Sequence, residues 1–217
     1  MKAPIKKFNR VYHVGMLAAQ PAPRSRDSHE GPCLSISRVP NAWRAIAQLG
    51  AAPIWTLEKK DGKFLDMHKV SEALKAEITQ WGYDKGYAVE GQAVVTEVDD
   101  QDEDGEDEVR IYLDATPAEA VRQHGEDDEV RARFTIPHPR PTDKLVEYAE
   151  QKVDLGLVFD MLALVYSEKV LDIDGLFWNE NLDVYAYSAP RAGLLRSKLS
   201  TWTFTQGHIG HNKEEQY

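Results

Sequence analysis

Apolar positions along the chain switch between periods of two and of about 3.6 residues, and each switch marks a boundary between strand and helix. Residues 9–15, Asn-Arg-Val-Tyr-His-Val-Gly, alternate as a strand does, with Val11, His13 and Gly15 on one face and Tyr12 and Val14 on the other. Residues 17–32 are rich in Ala, Pro, Arg and Ser and read as a long loop. The run 32–38 predicts a second strand, with Cys33, Ser35 and Ser37 facing one way and Leu34 and Ile36 the other. A helix over 40–50 is opened by Pro40, carries Trp43, Ile46 and Ala47 on one stripe, and stops at Gly50. Residues 52–58 predict a strand, Asp61-Gly62 a hairpin turn, and 64–67 its returning partner.

Further on, Val70, Leu74, Ile78 and Trp81 fall at helical spacing over 69–82. The runs 92–98 and 109–113 read as a hairpin whose tip is 99–108. Thr116-Pro-Ala-Glu119 has the form of a capping box for a helix reaching about His124. Residues 129–136 alternate again, with Val130, Ala132, Phe134 and Ile136 on one face, and Thr142 can cap a helix through about Lys152. The segment 155–168 is apolar almost all round, which places it in the core. The densest aromatic and apolar run, 172–204, is interrupted by Asn179, Glu180, Asn181, Asp183 and Arg191. Buried polar groups need partners, so this stretch is either a strand–loop–strand carrying a site or a core hairpin with a solvated turn. The tail 207–217 is polar and expected to be loose.

Together these elements predict a single α+β domain over 1–217, with a mixed or antiparallel sheet core and packed helices. An insertion around 55–135, holding the acidic hairpin 97–108, elaborates it; two subdomains are the alternative arrangement. With 217 residues and 42% hydrophobic content, the chain can bury a core without staples. The single cysteine, Cys33, excludes an intramolecular disulfide and a thiolate metal knot, and favours a reducing compartment. No apolar run approaches the ~18 residues of a membrane helix. The start of the chain has basic residues but no apolar stretch behind them, so neither a signal peptide nor a membrane partner is expected, and the expected location is cytoplasmic.

Charge changes the picture more than composition does. The net charge is −10, yet residues 1–50 carry eight Lys/Arg against Asp27 and Glu30, and residues 97–108 carry nine acids and no base. An acidic total argues against broad binding to DNA backbones. Asp100-x-Asp102-x-Asp104-Gly105 matches the first half of a calcium loop, but position twelve, normally Glu, is Ile111. The flanks also read as strand, so a solvated acidic loop is expected rather than a metal site. No phosphate-binding glycine loop, nucleophile elbow, zincin helix or paired-cysteine zinc motif is present. His208-x-x-His211 reads as part of the tail, and Cys33, with no base evident nearby in sequence, as a small buried residue.

One combination of motifs points further. A strand with Tyr12-His13-Val14-Gly15 is followed by a long loop and by Gly31-Pro-Cys-Leu-Ser-Ile-Ser37 leading into a helix. Late in the chain come Asp172-Ile-Asp-Gly-Leu-Phe-Trp178, an acid-bearing loop and a final strand. This order resembles the ADP-ribosyltransferase-like fold family over 9–45 and 170–204. The resemblance implies NAD as a substrate, with His13 on its ribose and Ser35 or Ser37 bracing the NAD pocket. It implies Glu180, or else Asp183, as the catalytic acid, and Arg24, Arg26 or Arg38 on the pyrophosphate. Cleaving the nicotinamide–ribose bond builds positive charge on the sugar, which a carboxylate stabilises while polarising the nucleophile. Two positions depart from the family pattern: Met16 follows Gly15 where Thr is usual, and Trp178-Asn179 fill the place of a second acidic or Gln residue.

The implied activity is transfer of ADP-ribose to a protein or nucleic-acid target, as toxins and phage or mobile-element effectors of that fold perform. A second hypothesis is a non-catalytic interaction module, in which the acidic hairpin and the Trp-rich region bind a basic, nucleic-acid-handling partner. A third is a phosphotransferase on the same fold, using Arg24, Arg26 or Arg38 with His29. The enzyme requires His13, Ser35 or Ser37 and Glu180 to converge in a concave pocket, whereas the module requires aromatics exposed beside the acidic loop.

Overall fold

The computed structural model describes residues 2–15, 32–41, 44, 49–101, 107–124, 130–182 and 187–207; at 100–101, 107–108, 123–124, 179–182 and 187–192 it describes the backbone alone. In chain order the strands are β1 (Ile5–Val14), β2 (Cys33–Ser37), β3 (Ile54–Asp66), β4 (Ala88–Val89), β5 (Gln92–Gln101), β6 (Asp107–Asp114), β7 (Val130–Pro137), β8 (Arg140–Pro141), β9 (Gly175–Leu182), β10 (Tyr187–Leu195) and β11 (Thr203–Gly207). The helices are α1 (Glu72–Asp84), α2 (Pro117–His124), α3 (Asp143–Ala149) and α4 (Val158–Lys169). The protein is therefore α+β. The expected long loop 17–32, most of the expected helix 40–50 and the tail from residue 208 lie outside the described residues. The chain divides into two compact units, Met1–Lys75 with Ala163–Tyr217, and Ala76–Leu162. The inserted unit thus covers 76–162, whereas the sequence pattern set an insertion near 55–135.

In the first unit, five strands close a ring: β1 pairs β2, β2 pairs β10, β10 pairs β9, β9 pairs β3, and β3 pairs β1. All of these pairings are antiparallel except β3 with β9. One edge of β3 serves two strands: β11 takes its first half, from Gly207↔Ile54 to Thr203↔Glu58, and β9 its end, from Phe64↔Gly175 to Asp66↔Phe177. Phe8, Val11, Ile36, Leu57, Phe64, Phe177, Leu194 and Trp202 form the buried cluster of this unit. Phe8 lies 5.6 Å from Phe64 and 5.2 Å from Phe177 between ring centroids, within the range of favourable aromatic pairs.

The expected hairpin at Asp61-Gly62 does not form. β3 runs on for 13 residues because both of its halves pair with the same strand, β1. The two residues make a bulge instead: the register jumps from Phe8↔Gly62 to Arg10↔Glu58, Asp61 takes φ 57°, and its N–H donates to Asn9 Oδ1 at 2.9 Å. Gly62 is required by close approach, since a Cβ there would sit 2.5 Å from the Trp202 ring and 2.7 Å from the Phe8 carbonyl oxygen.

Closure of the ring rests on Asp174, which is only 3% exposed. Its carboxylate accepts hydrogen bonds from Lys59 Nζ (2.6 Å), the Lys63 backbone N–H (2.8 Å) and Trp202 Nε1 (3.2 Å). Its own N–H donates to the Lys63 carbonyl, and its carbonyl accepts from Leu195 N–H, both at 2.8 Å. Next to it, Gly175 has φ 154°, and a Cβ there would lie 1.8 Å from the Gly193 carbonyl oxygen, so no other residue fits.

The second unit contains the three-stranded antiparallel sheet β6-β5-β7 and the short ribbon β4–β8. The capping box is as the sequence predicts, with Glu119 N–H donating to Thr116 Oγ1 at 3.2 Å. Trp81 stacks on Tyr87 at 5.5 Å, and Lys144 Nζ lies 4.2 Å from the Tyr87 ring centroid. The helix α3 ends at Glu150 in the left-handed conformation, short of the expected Lys152. Residues 161–167 of α4 are all buried, as an all-apolar helix should be. Among the described residues no helix is long and apolar enough to cross a membrane.

Two outcomes follow for the first unit. Asp174→Ala leaves Lys59 and Trp202 Nε1 without their buried acceptor and should lower stability by about 3 kcal/mol, with Asp174→Asn losing less; Trp fluorescence in urea measures both. The Lys198 ammonium, by hydrogen bond first and Coulombic attraction second, holds the exposed Asp172 carboxyl below the usual carboxylate range. A depressed folded value means that this pair stabilises at neutral pH and that its contribution vanishes as pH falls through that value. Titrating Asp172 by carbon NMR should show the depression, and Lys198→Ala should abolish it.

Candidate functional site

Of the residues implied by the NAD-binding resemblance, His13, Ser35, Ser37, Arg38 and the backbone of Glu180 lie on the barrel. His13, in β1 and 8% exposed, places Nδ1 2.8 Å from the Ser35 carbonyl oxygen. A carbonyl only accepts, so Nδ1 carries the proton and the ring is held in one orientation. The ring also crowds Gly15, where a Cβ would lie 3.2 Å from His13 Nε2. The register Tyr12↔Ser37 sets His13 opposite Ile36, a core residue, so the Ser35 and Ser37 side chains belong to the other face. Ser37 Oγ accepts the Val39 N–H at 3.0 Å, and Ser35 Oγ is buried without a hydrogen-bond partner among the described residues. Arg38 lies with its guanidinium 5.3 Å from the Phe8 ring centroid.

Glu180 is in β9, opposite Ala189 of β10. Tyr12, Ser37, Arg191 and Trp178 form one row across four strands, and Glu180 falls on the side of that row away from His13. Its side chain, and all of Asp183, Arg24, Arg26 and His29, lie outside the described residues. The structure therefore joins His13 to the backbone of Ser35 and does not bring the serine hydroxyls to the imidazole.

A shallow depression on the barrel surface is lined by Asn9, Glu58, Lys59, Lys60, Thr201 and Thr203. Much of its charge is already paired. Glu58 Oε1 lies 2.6 Å from Arg10 Nη2, and that hydrogen-bonded contact raises the Arg10 pKa; Lys59 is committed to Asp174. Among the described residues no group of His, Cys, Asp and Glu is placed to hold a metal ion.

The sheet β6-β5-β7 presents a different surface. Val95 lies between Leu113 and Phe134, Glu97 between Ile111 and Ala132, and Asp99 opposite Val109, so these residues share one face. Ala93 and Val95 are buried at one end of that face. Toward the hairpin tip the face opens, leaving Ile111 64% and Val109 42% exposed, and on β7, in the row of Val95, Phe134 is 46% exposed. The expected alternation of β7 holds for Ala132, Phe134 and Ile136, but a register shift at Glu97/Val98 moves Val130 opposite Val98.

Glu97 and Asp99 lie on this face, and the acidic run follows at its hairpin-tip end. The β5–β6 ladder extends to Gln101↔Asp107, so the strands enter the acidic run, and residues 102–106 lie outside the described residues. Solvated acids leave the backbone ladder intact, which is why the hairpin is longer than hydrophobic alternation indicates. In this ladder the backbone register sets Asp100 opposite Glu108. The unit 76–162 holds 23 Asp/Glu against 8 Lys/Arg, whereas the barrel unit holds 13 against 18. Composition hides this polarity, and alternation alone places Ile111 in a hairpin strand and Phe134 on one face of another without showing whether either is covered. The available signal was the density of apolar residues in Val109–Leu113 directly beside nine acids.

Comparison of the chain with family models, curated proteins and solved structures gives no match.

If the face is open, Ile111→Ser should change stability by no more than about 0.5 kcal/mol, whereas the buried Val95→Ser should cost about 2 kcal/mol or more in the same denaturation experiment.

Proposed function

We propose that this protein is a non-catalytic interaction module that binds a basic, nucleic-acid-handling protein through the acidic hairpin 97–108 and the adjoining sheet face. The observation that carries this reading is the exposure of Val109 and Ile111 on one face of β6, with Phe134 exposed on the same face across β5, in a hairpin whose sequence holds nine acids over 97–108. Contiguous exposed apolar side chains mark association surfaces. A rim of one sign selects partners of the opposite sign and speeds their approach. The same rim repels nucleic acid itself, so the basic partner is a protein. Calorimetry with a lysine-rich peptide tests this. Replacing Asp100, Asp102, Asp104 and Asp107 by Asn should weaken binding and flatten its salt dependence, and unchanged affinity would overturn the reading.

A second reading keeps the ADP-ribosyltransferase-like fold, with NAD as substrate and transfer to a macromolecular target in the cytoplasm. It is supported by the buried, orientation-locked His13 against the Ser35 carbonyl. On that reading NAD gives saturable heat that His13→Ala abolishes, and Glu180→Ala removes nicotinamide release while binding survives. Absence of heat and of release at about 1 mM NAD would sink it.

A further inference from the structure

We propose that the depression on the barrel surface is a binding site for the phosphate group of a small phosphate monoester. The site belongs to the barrel unit alone, is independent of the acidic sheet, and uses none of the residues implied by the NAD-binding resemblance. The bulge in β3 builds it. Between the pairs Phe8↔Gly62 and Arg10↔Glu58, three residues of β3, Lys59, Lys60 and Asp61, have no Cα partner on β1. A bulge re-aims side chains out of the strand's alternation. Lys59 turns to the buried Asp174, Asp61 pairs with Lys7 at 3.3 Å, and Lys60 is left exposed in the lining of the depression.

The lining is rich in donors. Lys59 Nζ donates to Asp174 Oδ1 at 2.6 Å and to Thr201 Oγ1 at 3.1 Å, which uses two of the three N–H bonds of an ammonium and holds it in place. Asn9 Oδ1 accepts the Asp61 N–H, so amide N–H groups are what Asn9 has left to offer. Lys60 contributes an ammonium and Thr203 a hydroxyl. Glu58, the carboxylate in the lining, has Arg10 Nη2 at 2.6 Å.

Charge identifies the ligand. The acids near the bulge each have a base: Glu58 with Arg10, Asp61 with Lys7, Asp174 with Lys59 and Asp172 with Lys198. Lys60 and Lys63 make no ion pair among the described residues, so two positive charges on β3 stand uncompensated. A phosphate monoester carries about −1.5 to −2 charge at neutral pH and three strong acceptor oxygens, which matches both the excess charge and the donors. A carboxylate brings one charge and two oxygens. The depression has a volume of about 530 Å³, more than a phosphate group fills, so the rest of the ligand has room beside it. Asn9, Thr201 and Thr203 face that room and no apolar side chain lines it, which suits a hydroxylated body. The ligand class is therefore a polyol or sugar phosphate.

Lysine side-chain carbon NMR on the full-length chain, titrated with glycerol 3-phosphate at constant ionic strength, tests the site. Lys60→Ala identifies the Lys60 signal, and thermal unfolding checks that this exposed substitution leaves the fold intact. The site predicts a saturable shift of the Lys60 signal. It predicts affinity about tenfold lower in Lys60→Ala and about threefold lower in Thr203→Val, with acetate about tenfold weaker than the ester. Glu58→Gln removes the lining carboxylate and should tighten binding. Shifts that never saturate, or that chloride reproduces, would overturn the site. So would affinity unchanged in both Lys60→Ala and Thr203→Val, or lost in Glu58→Gln. Acetate binding as tightly as the ester would overturn the phosphate assignment.

Discussion

The buried Asp174 carboxylate is the constraint on which the first unit depends. It receives Lys59, the Lys63 amide and the Trp202 indole, so β3 and the segment at Trp202 meet the start of β9 at one charge. A buried carboxylate is tolerable only when its oxygens are paired, and here the pairing fixes where β9 starts. Gly175 then turns past the Gly193 carbonyl at a spacing no side chain allows, and β9 enters parallel to β3. Trp202, anchored by the same carboxylate, covers Gly62 and joins the ring cluster of Phe8, Phe64 and Phe177. The long β3 can serve β1, β9 and β11 because the bulge at Asp61 keeps its two halves in register with one partner.

Much of the element sequence was legible from period alone. β1, β2, α1, the β5–β6 hairpin, α2, β7 and α4 all lie where alternation or helical spacing puts them, and the capping box at Thr116 is present. Pattern failed where a tertiary partner outvoted a local signal. Asp61-Gly62 is a strong hairpin dipeptide, yet two pairing surfaces on β1 hold the chain straight through it. In the sequence Asp174 stands out only as part of a motif, because nothing there shows that Lys59, 115 residues away, is its partner. The candidate interaction face was half legible. Its acidity stands out in the sequence, but the exposure of Ile111 and Phe134 depends on β5, β6 and β7 forming a sheet that stays uncovered near the tip.

The two units differ in electrostatic character as well as in fold. The barrel unit has a modest excess of base and ties several of its charges into pairs, including Arg10 with Glu58, Lys59 with Asp174 and Lys198 with Asp172. The inserted unit has nearly three acids for every base, concentrated along one hairpin. At physiological salt the field of exposed charges decays over about 8 Å, so the hairpin acts on what touches the sheet next to it. An apolar face gives non-directional affinity and an acidic rim gives selection, a division of roles common to protein interfaces. The barrel supplies no comparable open apolar surface among its described core residues, which are enclosed by its own strands.

The most direct test of this account is amide hydrogen exchange mapped over the whole chain, with and without a saturating lysine-rich peptide. Binding through the inserted sheet predicts slowed exchange in 97–113, centred on β6, with His13, Ser35 and the rest of the barrel unchanged. Slowed exchange confined to β1 and β2, or no change in β6, would contradict it and return attention to the His13 end of the barrel.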